Sequence, residues 1–227
     1  MTKFEDLLDS YTGSSPLFLQ DDFVLFPKTG HDFKITDKNN IDMIKDVIAQ
    51  DRFLTLSLFK EGLNTGEAGS PPIYDIGTLA YVIDFREIEN EAYNLLILGV
   101  DKVQINETVQ THSYRIGATT QLPEITDLLG EDDKRDHLVH RFEELLKLIA
   151  GDVPIHSFNE QDFTLEIIIN MMCAAMPIPA TEKQKLLELQ DINLRYEILV
   201  QFIDAEIAAS RENQQIIPVL PVTRLMN

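Results

Sequence analysis

Short apolar segments with a period of two dominate the N-terminal half of the chain, and they predict β-strands. The clearest runs from Phe53 to Phe59, where Leu54, Leu56 and Leu58 share one face. The other predicted strands cover residues 23–26, 76–85, 93–98, 101–108 and 114–121. The last four are separated by short connections, which favours antiparallel meanders that close toward a barrel.

Helical periodicity appears once within the β-rich part, and it is the main pattern after Pro123. Residues 41–48 carry apolar side chains at helical spacing, with Asn39 or Asn40 as the expected N-cap. Beyond Pro123, four such patterns end at clear stop signals, which predicts a compact helical bundle. These helices are predicted over residues 138–149, 163–176, 185–190 and 192–207, with N-caps at Ser157, Thr181 and Asp191.

The order of these elements predicts an α+β fold, with an antiparallel β-barrel subdomain followed by a helical bundle subdomain. Residues 60–72 are rich in glycine and proline and are predicted to form a mobile surface loop. The C-terminal tail holds prolines among apolar residues, so we expect it to be extended and to pack along the bundle or bind a partner. The predicted boundaries are a leader over 1–20, the β-rich subdomain over 21–122, the bundle over 123–210 and the tail over 211–227.

Net charge narrows the choice of partners. The chain has 38 acidic and 19 basic residues, and its formal charge of -19 repels nucleic acid and anionic membranes. The single cysteine, Cys173, lies in an apolar run, where a thiol usually serves as a small buried hydrophobe. The N-terminus is acidic, unlike a secretory signal, and apolar runs are too short to span a membrane. We therefore expect a soluble, cytoplasmic protein.

The sequence offers no motif for catalysis or for a cofactor. It contains neither the glycine-rich cradle with lysine that binds nucleotide phosphates nor a Gly-x-Ser-x-Gly nucleophile elbow. His137 and His140 are spaced for one helix face, but neighbouring lysine and arginine residues indicate a solvated surface. His31 falls in a predicted loop, where an exposed histidine is the usual outcome. We therefore predict no catalytic residues, no metal and no cofactor.

Four short motifs follow one another along the chain. Residues 23–27 read Phe-Val-Leu-Phe-Pro, and residues 71–78 read Pro-Pro-Ile-Tyr-Asp-Ile-Gly-Thr. Residues 93–100 read Tyr-Asn-Leu-Leu-Ile-Leu-Gly-Val. The fourth motif, Lys-Gln-Lys-Leu-Leu-Glu at 183–188, is followed by an aspartate and an arginine, Asp191 and Arg195.

Taken in order, these motifs resemble the N-terminal substrate-binding domain of Lon proteases over about residues 17–210. The resemblance implies a PUA-like, β-rich half followed by a helical bundle. It also implies binding without hydrolysis, because the ATPase and serine-lysine peptidase of full Lon proteases are not in this sequence. One stretch departs from the family: residues 33–40 stand where the family has Pro-Leu-x-Ile-Phe-Glu-Pro-Arg-Tyr, so any role of that Glu and Arg does not carry over.

The leading functional hypothesis is a non-catalytic module that binds protein or peptide. Its expected ligands are unfolded polypeptides or segments with exposed apolar side chains, and a protease is a further candidate partner. The expected binding surface lies near Phe26, Phe33, Tyr74 and Ile76, which supply aromatic and aliphatic anchors. For each of these side chains the simpler interpretation is core packing. The alternative function is a PUA-like domain that binds a small molecule or nucleic acid, although no stripe of basic and aromatic residues supports it.

Overall fold

A computed structural model describes residues 8–60, 71–88, 92–111, 113–125, 130–151 and 163–215 of this 227-residue chain. The strands in these residues are β1 (Ser14–Gln20), β2 (Gly30–Ile35), β3 (Phe53–Leu58), β4 (Ile76–Ile88), β5 (Ala92–Thr111) and β6 (Tyr114–Gln121). The helices are α1 (Lys38–Ala49), α2 (Glu131–Ala150), α3 (Leu165–Ala175), α4 (Ala180–Glu188) and α5 (Ile192–Gln215). The predicted α+β class is confirmed.

The six strands form one sheet in the order β2-β5-β4-β3-β1-β6, and β6 pairs again with β5. Five strands therefore close into a ring, and β2 extends the sheet beside the first part of β5. The sheet is mixed and not wholly of the predicted antiparallel type: β1 and β3 run parallel, and the other pairs of described strands are antiparallel. Parallel neighbours need a crossover connection, and β2 with α1 supplies it.

The first strand lies earlier in the chain than predicted. β1 falls inside the predicted leader of residues 1–20 and is hydrogen-bonded on both sides, with Pro16 in register with Ile116 of β6. The segment 23–26, which was predicted as a strand, is instead a buried irregular stretch. Side chains satisfy its carbonyl groups: the Thr78 hydroxyl donates to Leu25 O at 2.6 Å, and the Thr29 hydroxyl donates to Phe26 O at 2.7 Å.

One long strand replaces two predicted ones. The sequence pattern predicts strands at 93–98 and 101–108 with a turn at Gly99, but β5 runs through all of these residues. Gly99 has another role, because a Cβ atom at this position would overlap the Phe26 carbonyl group. A Cβ atom on Gly77 would likewise overlap the Leu56 carbonyl group. Gly99 lets the segment at Phe26 pack directly on the sheet, and Gly77 lets β4 approach the backbone of β3 closely.

All the predicted helices are present, with small differences at their ends. Asp37, and not Asn39 or Asn40, caps α1, since its carboxylate accepts hydrogen bonds from both of their backbone N–H groups. Asp191 accepts a bond from the backbone of Asn193 at 2.8 Å, which confirms the predicted cap of α5. α5 continues to Gln215, past the predicted boundary at 210. The caps predicted at Ser157 and Thr181 are wrong, because the N-caps are Thr164 for α3 and Pro179 for α4. Ser157 itself, most of the predicted loop at 60–72 and residues 216–227 lie outside the described residues.

Two apolar clusters form most of the core. The larger one joins the four helices of the bundle to Val24, Phe26 and Leu58 of the β-rich half. The second lies between α1 and the sheet. Cys173 is fully buried in the larger cluster, as predicted, and burial raises the pKa of its thiol to about 12. This thiol is therefore inert at neutral pH.

A buried polar network connects the bundle to the sheet. Lys102 of β5 and Arg195 of α5 are both fully buried, and both donate to the same carboxylate oxygen of Glu124. Arg195 also donates to Asn170 Oδ1 at 2.7 Å, and Asn170 donates to Pro27 O at 3.1 Å. Both cations bond to the Leu189 carbonyl oxygen as well, which fixes the turn between α4 and α5.

Candidate functional site

Four aromatic rings meet where β1, β2 and the segment between them come together. Phe33 lies 4.7 Å from His31, 5.0 Å from Phe23 and 5.1 Å from Phe18, measured between ring centroids. His31 and Phe33 share a face because they are two residues apart on β2. We call these four residues the aromatic edge.

The aromatic edge extends from the core to the surface. Phe18 is buried, Phe23 and Phe33 are half-buried, and His31 is exposed. Next to the rings lies a cavity of about 170 Å³, lined by Phe18, Gln20, Phe33, Lys34, Ile35, Thr36, Asp37 and Asn40. Because β2 pairs with β5 and with no other described strand, this cavity lies beside an edge strand of the sheet.

The surroundings of the aromatic edge are acidic. Lys28 is paired, since its amino group donates to both oxygens of Glu166 at 2.7 and 2.6 Å. Lys34 on β2 and Lys38 at the start of α1 are exposed. The exposed carboxylates on β2 and on the segments that flank it are Asp21, Asp22, Asp32 and Asp37. A cationic ligand is therefore favoured here over an anionic one.

His31 gives this site a pH dependence. Burial against the rings lowers the pKa of His31, and neighbouring Asp32 offsets only part of this effect. A folded-state pKa below the unfolded value means that the folded protein binds fewer protons, so stability is lost as pH falls below about 6.5. We expect wild type to lose more stability than His31→Gln between neutral and acidic pH, measured as urea midpoints. Equal losses in the two proteins would contradict this assignment.

The four predicted site residues do not form one surface. Phe33 belongs to the aromatic edge. Phe26 is fully buried between the sheet and the bundle, so its ring does not reach solvent. Tyr74 and Ile76 are half-buried and pack against the same cluster as Phe26. The sequence pattern thus identified one member of the aromatic edge and three residues of the junction between the two halves.

Three members of the aromatic edge were missed. His31 lies in β2 and not in a loop, so that prediction is wrong. A sequence signal for this strand was present: His31, Phe33 and Ile35 alternate with the charged residues Asp32 and Lys34. Charged side chains at every second position are typical of an edge strand. Phe18 was assigned to the leader, and Phe23 to a strand.

Two larger recesses lie near α1 and β6. One, of about 460 Å³, is lined mainly by polar side chains such as Asp42 and Asp46. The Tyr114 hydroxyl donates to Asp46 at 2.6 Å, and burial, with this bond, raises the pKa of Tyr114 to about 12. The other, of about 370 Å³, opens beside Pro71, which directly follows residues that are not described.

The described residues hold neither a metal-binding cluster nor a membrane-spanning helix. The ring of His137 is hydrogen-bonded to the Tyr196 hydroxyl at 2.8 Å. In the described ranges, no three His, Cys, Asp or Glu residues are grouped so that they could hold a metal ion. Within the same ranges, no helix is both long and apolar enough to cross a bilayer.

The fold is shared with solved structures of Lon N-terminal domains. The N-terminal domain of a Mycobacterium avium complex Lon protease superposes with a TM-score of 0.67 at 15% identity, covering 84% of this chain and 98% of that one. A Lon N-terminal domain protein from Xanthomonas campestris gives a TM-score of 0.60 at 16% identity, covering 83% of this chain and 97% of that one. At these identities the likeness concerns the fold alone.

Sequence relatives are full Lon proteases. The Lon protease of Desulfosudis oleivorans is 24% identical over 194 residues, which cover 82% of this chain and 23% of that protein. The Lon protease of Brevibacillus choshinensis is 24% identical over 194 residues, covering 84% and 25% respectively. The chain thus spans about a quarter of the length of these relatives. Residues 14–205 match the model of the ATP-dependent protease La (LON) substrate-binding domain, and the chain therefore belongs to this family.

Proposed function

We propose that this chain is a substrate-recognition module that binds polypeptide segments with exposed apolar side chains and contributes no catalytic residues of its own. The observation that carries the proposal is the aromatic edge, where Phe23 and Phe33 are half-buried and Phe33 lines a small cavity beside an edge strand. The family match supports the same kind of role. Unfolded proteins are the expected ligands, and a protease that degrades them is the expected partner.

The physical basis is the partial exposure of the two phenylalanine rings. A ligand side chain that covers them removes apolar surface from water on both sides of the contact, which stabilises the complex by roughly 25 cal/mol per Å². Neighbouring rings also hold Phe33 in place, so little side-chain entropy is lost on binding. Such a surface suits weak, sequence-tolerant binding, because apolar contacts have no directional requirement.

Phe33→Ala is expected to weaken binding of a permanently unfolded, carboxymethylated protein by about tenfold or more, the range for an interface anchor. Fluorescence anisotropy of the labelled ligand measures the change. The matched control is Phe85→Ala, which removes an exposed ring on β4 that lies near Arg52 and outside the aromatic edge. This control is expected to bind like wild type.

A folded Phe33→Ala variant with unchanged affinity would exclude the aromatic edge. Tyr74→Ala tests the other predicted surface, since the Tyr74 ring is half-buried near Lys60 at the junction of sheet and bundle. Loss of binding in Tyr74→Ala alone would place the site there. The ligand is also expected to remain intact on prolonged incubation with the chain, and its cleavage would contradict the non-catalytic role.

A further inference from the structure

We infer that the ligand binds as an added β-strand, with its backbone paired to the free edge of β2, an aliphatic side chain in the adjoining cavity and lysine or arginine beside it. This inference rests on the proposed function and specifies how that site recognises its ligand. Three features of the described residues support it: the direction of the β2 backbone groups, the shape of the cavity and the local charge.

The phase of the β2–β5 ladder shows which backbone groups are free. Gly99 N–H donates to Thr29 O at 2.8 Å, and the register continues from Gly30 opposite Leu98. In an antiparallel pair, every second residue bonds to its partner strand. Counted from Thr29, the bonded residues of β2 are His31, Phe33 and Ile35. The N–H and C=O groups of Asp32 and Lys34 therefore point away from β5.

These groups are available for a new strand. In the described part of the chain, no backbone group of another element bonds to Asp32 or Lys34. Peptides commonly bind to such edges, where main-chain hydrogen bonds give affinity and pockets for alternate side chains give specificity. The family's proline-containing stretch is replaced here by residues 33–40, so the N–H groups of Phe33, Lys34 and Ile35 are all retained.

The cavity beside this edge fits a single side chain. Its volume of about 170 Å³ is below the roughly 300–1,000 Å³ that small-molecule sites usually have. Phe18 and Phe33 provide apolar walls, while residues 34–37 provide backbone and polar atoms. An extended peptide next to β2 would direct every second side chain toward this face of the sheet. An aliphatic residue at that position would contact the two rings, while Gln20 and Asn40 line the polar remainder of the cavity.

The negative charge around β2 favours lysine or arginine in the bound peptide. It also disfavours a second copy of the chain as the ligand. On the edge strand and the segments next to it, two exposed lysines, Lys34 and Lys38, are outnumbered by four exposed carboxylates, on Asp21, Asp22, Asp32 and Asp37, and the chain as a whole carries -19. A peptide with lysine or arginine is attracted to them, and an acidic peptide is repelled. Two copies of the chain each carry -19, so long-range repulsion opposes their association.

The experiment uses a short labelled peptide with a central leucine flanked by lysines. Three forms are compared: the unmodified peptide, one N-methylated at every second backbone nitrogen, and one N-methylated at the remaining backbone nitrogens. N-methylation removes hydrogen-bond donors and leaves the side chains unchanged. We expect methylation of one set to weaken binding by about tenfold or more and methylation of the other to have little effect. Glutamate in place of the lysines should weaken binding similarly, and the difference should shrink at high salt.

Hydrogen exchange provides the second readout on the full chain. Peptide binding is expected to slow exchange of the Asp32 and Lys34 amides, which are free in the ladder. If both methylated peptides bind like the unmodified one while Phe33→Ala still abolishes binding, strand addition fails and the proposed function stands. If no peptide binds, and unfolded protein is not retained either, the proposed function fails. Protection of these two amides without peptide, together with a dimer in sedimentation, would overturn the inference in favour of a second copy.

Discussion

Glu124→Gln is expected to lower the free energy of unfolding by about 3–5 kcal/mol, the usual cost of removing one partner from a buried ion pair. The carboxylate is the shared acceptor for Lys102 and Arg195, whose side chains are fully buried. Glutamine has nearly the same shape, so the substitution removes the negative charge with little change in packing. Two buried cations then remain without the carboxylate that they share. Urea denaturation followed by circular dichroism measures the loss.

Glu144→Gln is the matched control. Glu144 also accepts from two cations, Arg141 and Arg211, but its side chain is 24% exposed and that of Arg211 is 58% exposed. Water and salt screen these charges, so the expected loss is about 1 kcal/mol or less. Equal losses at Glu124 and Glu144 would show that burial does not decide the strength of the network.

The double variant Lys102→Met/Glu124→Gln separates charge from lost hydrogen bonds. It leaves only Arg195 as a buried cation, so it is expected to be more stable than Glu124→Gln alone. The single variant should also recover stability at alkaline pH. Burial already lowers the pKa of Lys102 below its ordinary value of 10.5, and Glu124 opposes that shift. Without Glu124 the folded state favours neutral Lys102 more strongly, so stability rises as pH increases toward the unfolded pKa.

The regular elements were predictable because each depends on a local pattern. The two-residue period of Phe53–Leu58 and the helical periods after Pro123 appear as the predicted strand and helices. β1 was missed because Ser14, Ser15 and Pro16 have the composition of a turn, and only pairing with distant strands makes them part of the sheet. Gly99 was misread for the same reason, since its role depends on the backbone of Phe26.

The candidate site and the buried network were harder to predict because their members are far apart in sequence. Arg195 donates to Asn170 and Glu124, which precede it by 25 and 71 residues. Its only signal was the resemblance of residues 183–195 to the family motif. Phe33 was selected as an aromatic residue next to a strand, but its neighbours Phe18 and Phe23 depend on how the chain returns beside β2. Sequence spacing does not contain that information.

Gly99→Ala is expected to cost about 3 kcal/mol or more of folding free energy, at or above the upper end for overpacking in a core. The new methyl group would overlap the carbonyl group of Phe26, and backbone atoms cannot rotate away as a side chain can. Gly99 also accepts from Lys28 N–H and donates to Thr29 O, so it attaches the start of β2 to β5. The substitution should therefore displace the aromatic edge and weaken peptide binding together with stability. Urea denaturation and the anisotropy assay measure the two effects on the same preparation.

Gly30→Ala distinguishes this overlap from a general effect of replacing glycine in a strand. Gly30 lies at the start of β2, and a Cβ atom there would be 3.6 Å from the Ile97 carbonyl oxygen, an ordinary contact. Stability is expected to change by no more than about 0.5 kcal/mol, and binding should be retained. If Gly99→Ala is tolerated as well as Gly30→Ala, the segment from Phe26 to Thr29 can move away from β5 without cost. The aromatic edge would then not depend on that segment being held against the sheet, and its geometry would have to come from the packing of Phe18 and Phe33 alone.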